Sequence, residues 1–165
     1  MNNQLVQLSA EDLKKLQLKN LEIAEYLVNF CKKHNLRVFL YAGSLLGAVR
    51  HKGFIPWDDD IDMEMPAPDY KKLLEIWDKE ADTQKYSLVY QTKDYNDHHL
   101  SASIKDNETT FITTASVDTD GNQGVVTRWL PSGGSEEETI PCLLLSFCCL
   151  PAIVSIPWLT TIYID

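Results

Sequence analysis

The chain has 165 residues, of which 44% are hydrophobic and 24% charged, with a formal net charge of −9. That length suits one compact domain with its own core, not two, and the composition is that of a globular chain. The acidic balance excludes a general nucleic-acid binder, whose affinity would rest on basic contacts to phosphates.

In chain order, Ser9 is placed to cap a helix, with Asp12 three residues on and Leu8 positioned as a hydrophobic staple. Leu13, Leu16, Ile23, Leu27 and Phe30 then recur at helical spacing. Lys32, Lys33 and His34 suit the negative end of the helix dipole, and Asn35 suits a left-handed stop. Val38–Tyr41 reads as a short apolar strand that Gly43 and Ser44 break, and Leu45–Val49 as a helical turn. The segment from Ile61 to Met65 alternates apolar with acidic residues, the period of a half-buried strand. Pro68 opens another helix, with Tyr70, Leu73, Leu74 and Trp77 on its buried face. Tyr86–Gln91, Ser101–Ile104 and Thr110–Ile112 read as three further strands, with a loop at Asp94–His98.

Of the 4 cysteines, Cys31 reads as a small core residue; Cys142, Cys148 and Cys149 lie in the apolar tail, without zinc-site spacing. The first residues lack the basic flank and apolar run of a signal peptide, so the core reads as cytoplasmic. Composition shifts after about Gly124: residues 132–138 form a polar linker, and Thr139–Ile164 carries no charge but holds Pro141, Pro151 and Pro157.

The chemistry-bearing residues fall between Gly43 and Glu64. Asp58, Asp59, Asp60, Asp62 and Glu64 crowd together, and such carboxylates repel one another unless a cation sits among them. In an extended chain Asp60 and Asp62 share a face, with Ile61 turned inward. Two carboxylates on one face suit Mg2+ or Mn2+ held together with substrate phosphates. Gly43 and Ser44 supply small residues and backbone amides where a phosphate comes close, and Arg50, His51 and Lys52 are cations that can meet an anionic substrate. Taken singly, each feature has a plainer explanation in a solvated turn or a surface charge.

The unbroken string from Tyr41 to Asp62, with Arg50-His51-Lys52-Gly53-Phe54-Ile55-Pro56-Trp57-Asp58-Asp59-Asp60-Ile61-Asp62, closely resembles the signature of the LicD family, related to the fukutin-type transferases. Asp69-Tyr70 and the stretch from Ile104 to Ile112 continue the resemblance, which covers roughly residues 20 to 125. It implies an α+β, nucleotidyltransferase-like mixed β-sheet flanked by helices. It implies transfer of a phospho-alcohol group, phosphocholine being the best-known case, from a CDP-activated donor such as CDP-choline to a glycan hydroxyl. On that resemblance Asp60 and Asp62 take the metal-carboxylate positions, Gly43 and Ser44 the phosphate-side turn, and Asp59 the substrate side.

The family pattern also implies a third carboxylate in a later strand, soon after a Gly-Val pair. Gly124-Val125-Val126 arrives on schedule, but Thr127-Arg128-Trp129-Leu130-Pro131-Ser132 holds no acid, and Asp118 and Asp120 precede the place. Codons for those six residues, read one nucleotide later, permit His-Asp-Gly-Phe-Pro-Leu, which restores the block. The resulting expectation is an N-terminal helical region at 1–35, a core at 36–126 incomplete at its C-terminal end, and an out-of-frame tail at 127–165. A prolyl-interrupted membrane anchor, with peripheral membrane contact, is the less favoured reading of that tail. A catalytically inactive nucleotide- or metal-binding module is the rival function. A nucleotidyltransferase acting on RNA or an antibiotic is disfavoured by the net charge and by the full acidic string.

Overall fold

The structure is a computed structural model that describes residues 8–90, 102–112 and 124–132, with 128–132 as backbone. The loop at Asp94–His98, Asp118, Asp120, the three later cysteines and the apolar tail lie outside the described residues.

Helix α1 spans Ala10–Lys33. Ser9 caps it as its sequence context dictates: the Ser9 hydroxyl accepts from Asp12 N–H at 3.1 Å and donates to the Asp12 carboxylate at 2.7 Å. Leu16, Ile23, Leu27 and Phe30 form its buried stripe. Asn35 then takes a left-handed φ of 53°. Strand β1 (Phe39–Leu40) follows, then helix α2 (Ala42–His51), strand β2 (Asp62–Pro66), helix α3 (Ala67–Glu80), and strands β3 (Tyr86–Val89), β4 (Ala102–Asp106) and β5 (Val126–Ser132).

The five strands form one mixed sheet in the order β1-β2-β5-β4-β3. β2 and β5 run parallel, and the other neighbours are antiparallel. Helix α1 packs on β4 and β5, α2 on β2, and α3 on β2 and β5. An aromatic seam of Tyr26, Phe30, Trp77 and Tyr86 joins α1 to α3 and β3, with Tyr26 and Tyr86 ring centroids 4.4 Å apart. Cys31 is fully buried, and burial pushes its thiol up to about 12, as expected of an inert core cysteine. This is the expected α+β architecture. Among the described residues no helix is long and apolar enough to cross a membrane.

Several expectations need correction. Thr110–Ile112 is not a strand: β4 already has β3 on one side and β5 on the other, which leaves no edge to extend. Instead the Thr109 hydroxyl accepts from Val125 N–H at 3.0 Å and anchors the entry to β5. β2 is buried on both faces, Glu64 included, because it lies between β1 and β5 under two helices. β1 ends before Gly43 and Ser44, as expected, but the helix that follows runs Ala42–His51, longer than the expected turn at Leu45–Val49, and takes both residues into its first turn. The boundary drawn at residues 126 and 127 falls inside β5, which is the central strand of the sheet.

Candidate functional site

The site forms where the N-terminal end of α2 meets the head of β2. Chain reversal there is tight. Tyr41 N–H donates to Asp62 O at 3.0 Å, and Ala42 takes a left-handed φ of 43° to enter the helix. Tyr41 caps α2 without a side-chain hydrogen bond, so the first-turn amides and the positive end of the helix dipole face the acidic loop. The Ser44 hydroxyl accepts from Asp62 N–H at 2.9 Å and pins the first residue of β2 to the helix.

Gly43 is where the absence of a side chain matters. A Cβ on it would stand 3.0 Å from Asp58 Oδ2, so glycine lets that carboxylate approach the helix end, where the dipole favours negative charge. Asp58, Asp59 and Asp60 each present a carboxylate oxygen, and these oxygens all lie within 4.8 Å of one another. Asp58 and Asp60 are half-buried and Asp59 is exposed. Three hard oxygen donors so spaced fit a divalent cation of the Mg2+ or Mn2+ kind.

The grouping differs from the pair that strand alternation suggests. Asp60 and Ile61 precede β2, which begins at Asp62, so the period-two rule does not reach Asp60. Ile61 is nevertheless buried, as expected. Asp60 is common to the sequence-derived pair and the gathered triad; Asp62 is not one of the three.

The basic residues lie elsewhere. Arg50, His51 and Lys52 are at the C-terminal end of α2, about 10 Å along its axis from Gly43 by helical rise. All three are exposed. Arg50 Nε donates to His51 Nδ1 at 3.3 Å, and the His51 ring meets the Trp57 ring edge-on at 6.3 Å. Lys52 closes the helix at a φ of 58°. Residues 53–57 then run back along α2, close enough that a Cβ on Gly47 would meet Gly53 O at 2.7 Å and Ile55 N at 3.0 Å.

Two contributors escape a motif-based reading. Gln17 and Asn20 of α1 donate to the carbonyl oxygens of Asp58 and Asp59 at 2.9 Å and 2.8 Å. Glu64, two residues beyond Asp62 on the same strand, is 6% exposed, and burial raises its carboxyl above the usual range. The acidic alternation of β2 contained the signal for Glu64, but only the sheet order shows that it is buried. Behind α1, Glu22 accepts from Lys19 at 2.8 Å and from Lys85 at 2.6 Å, which hold its carboxyl down at about 2. Lys19 also stands 3.1 Å from the fully buried Asp106 at the end of β4.

The parallel ladder sets Asp62 opposite Arg128, Met63 opposite Trp129 and Glu64 opposite Leu130. The β5 position level with Asp62 is therefore occupied by a basic residue type.

Residues 35–140 match the family described as LicD/FKTN/FKRP, nucleotidyltransferase domain. The lipopolysaccharide cholinephosphotransferase LicD of Haemophilus influenzae is 43% identical over 69 residues, covering 42% of this chain and 26% of that protein. The human ribitol 5-phosphate transferase FKRP is 48% identical over 42 residues, covering 26% of this chain and 8% of that protein. A protein of Rickettsia prowazekii is 37% identical over 79 residues, covering 44% of this chain and 30% of its own length. The chain thus spans less than a third of the length of these relatives.

Proposed function

The chain belongs to the LicD/FKTN/FKRP nucleotidyltransferase-domain family, and from that membership we propose that it carries the site of a transferase moving a phospho-alcohol group from a CDP-activated donor to a hydroxyl of a cell-surface glycan or glycoconjugate. The observation that carries the proposal is the triad of carboxylate oxygens within 4.8 Å of one another at the N-terminal end of α2. The relatives named above support the transfer of phosphocholine or a related phospho-alcohol.

In this reading the acceptor oxygen bonds to the phosphorus of the phospho-alcohol. The bond from that phosphorus to the oxygen of CMP breaks, CMP departs, and the acceptor proton passes to a carboxylate or to water. Asp58, Asp59 and Asp60 would hold Mg2+ or Mn2+, with Asp62 at the head of β2 beside them. When bound, such an ion neutralises charge that develops on the phosphate oxygens. Gly43 and Ser44 keep the approach narrow and present the first-turn amides of α2 to a phosphate. Arg50, His51 and Lys52 act at the substrate's outer end, away from the reacting phosphorus. The triad and the adjacent helix end orient the donor, and orientation supplies much of the rate in phosphoryl transfer.

The test is CMP release from CDP-choline by the full chain in the presence of Mn2+, with Asp60→Asn beside it. A fall of about a hundredfold or more in the variant is expected, the usual scale for a lost electrostatic contact in a transition state. Equal rates in the two chains would overturn the assignment.

The second reading, a binding module without turnover, draws on Arg128 standing level with Asp62 where the sequence lacks a further carboxylate. Calorimetry separates the two: CDP-choline and Mg2+ that bind without any CMP release favour the module.

A further inference from the structure

Gln17 and Asn20 belong to α1, ahead of the segment 35–140 that matches the family. Both sit on the buried face of that helix, at 5% and 1% exposure, among Leu16, Ile23 and Ala24. A side-chain amide in such a place is costly unless its hydrogen bonds are made. The bonds that their amide N–H groups donate go to one loop. Gln17 Nε2 donates to Asp58 O at 2.9 Å and Asn20 Nδ2 donates to Asp59 O at 2.8 Å. The three-residue offset puts both amides on one helix face, matching two consecutive carbonyls of the loop. Asn20 is also joined to the sheet: Thr127 Oγ1 of β5, itself fully buried, lies 3.4 Å from Asn20 O and 3.5 Å from Asn20 Oδ1. One residue therefore connects α1, the acidic loop and the central strand.

We infer that Gln17 and Asn20 are positioning residues that hold the Asp58–Asp60 backbone so that its three carboxylates stay gathered before a divalent cation arrives. Three like charges within 4.8 Å repel, and a loop free to move relieves that repulsion by spreading. Fixing two successive peptide carbonyls removes that freedom, because the directions of the side chains at 58, 59 and 60 follow from the orientation of those peptides. Gly43 and Ser44 restrain the same loop from the opposite side, through the approach to Asp58 and the bond from Asp62. The inference rests on the functional reading above, since it assigns the loop to a cation. It extends the site to a helix that the family match leaves out.

The experiment uses the full chain with Gln17→Met and Asn20→Leu, near-isosteric changes that remove the donors. Phe30→Leu, in the aromatic seam away from the loop, serves as a control for general destabilisation. Mn2+ binding is read by the loss of the free-ion electron paramagnetic resonance signal, and loop order by hydrogen exchange of residues 56–61. Each donor variant is expected to weaken Mn2+ binding by about tenfold, the scale typical of residues that support metal ligands, and to speed exchange of the loop. Phe30→Leu is expected to lower the melting temperature without either effect. Donor variants with unchanged Mn2+ affinity overturn the inference, as does a Phe30→Leu chain that weakens Mn2+ binding as much as they do. If Asn20→Leu fails to fold, Gln17→Met alone decides. A wild-type chain that takes up no Mn2+ overturns the functional reading itself. Wild-type uptake with unaffected variants overturns only the positioning role.

Discussion

The two ends of α2 lie on one continuous motif in the sequence but have different environments in the structure. The N-terminal end, at Gly43 and Ser44, is tied to Asp62 by a hydrogen bond, to Asp58 by close approach, and through that loop to α1. The C-terminal end, at Arg50, His51 and Lys52, is exposed, with a side-chain contact between Arg50 and His51 and a ring contact of His51 to Trp57. The difference teaches that a contiguous signature need not be one site. The helix separates its small residues from its cations by its own length, so the two groups have different neighbours.

The comparison breaks most readily at the middle of the helix. Gly47→Ala places a Cβ 2.7 Å from Gly53 O and 3.0 Å from Ile55 N, both backbone atoms that cannot swing aside. A loss of about 2 to 3 kcal/mol is expected from overpacking, read in denaturant melts. A loss under about 0.5 kcal/mol, the scale of an ordinary surface change, would show that the returning loop is not tightly seated. Ser44→Ala comes next, because Asp62 N–H loses its acceptor; about 1 to 2 kcal/mol is expected, accompanied by weaker Mn2+ binding.

Glu22 sharpens the picture from the α1 side. Its hydrogen bonds with Lys19 and Lys85 lower its carboxyl from 4.5 to about 2. A group lowered on folding stabilises the fold fully above its unfolded value and loses that contribution as pH falls through the folded value. Melting temperature is therefore expected to decline between pH 4.5 and about 2 more steeply in the wild type than in Glu22→Gln. The difference at neutral pH should be about 1 kcal/mol or less, because the side chain is 43% exposed and solvent screens it. Parallel pH curves for the two chains would refute that pairing. The smallest effect belongs to the open end of α2: Arg50→Ala and His51→Ala should each change stability by under about 0.5 kcal/mol. A larger loss would mean that this end is as tightly built as the other.

Much of the fold was legible because it rests on local rules. Ser9, Asp12 and Asn35 mark the ends of α1, and Leu16, Ile23, Leu27 and Phe30 its buried stripe, through capping and a period of 3.6 alone. Leu73 and Trp77 likewise show which face of α3 is buried. The misreadings occur where distant segments meet. Gly43 reads as the end of the first strand, and only the approach of Asp58 shows why a glycine stands in the first turn of α2. The segment Thr127–Ser132 reads as the start of an alien tail because it lacks an expected acid, while in the structure it lies in β5, which pairs with β2 and β4. Gln17 and Asn20 carry no local signal of their role, because nothing near them in the sequence reveals a loop some 40 residues away that needs donors.

The amino-acid order thus determined the helices, the acidic string and the family to which the string belongs, since capping, periodicity and motif spacing are written within a few residues of each other. Tertiary structure alone decided which carboxylates gather, which end of α2 faces them, and which residue of β5 stands level with Asp62. Those relations depend on where the chain returns after long excursions, and hydrophobic burial and sheet pairing choose that return for the molecule as a whole.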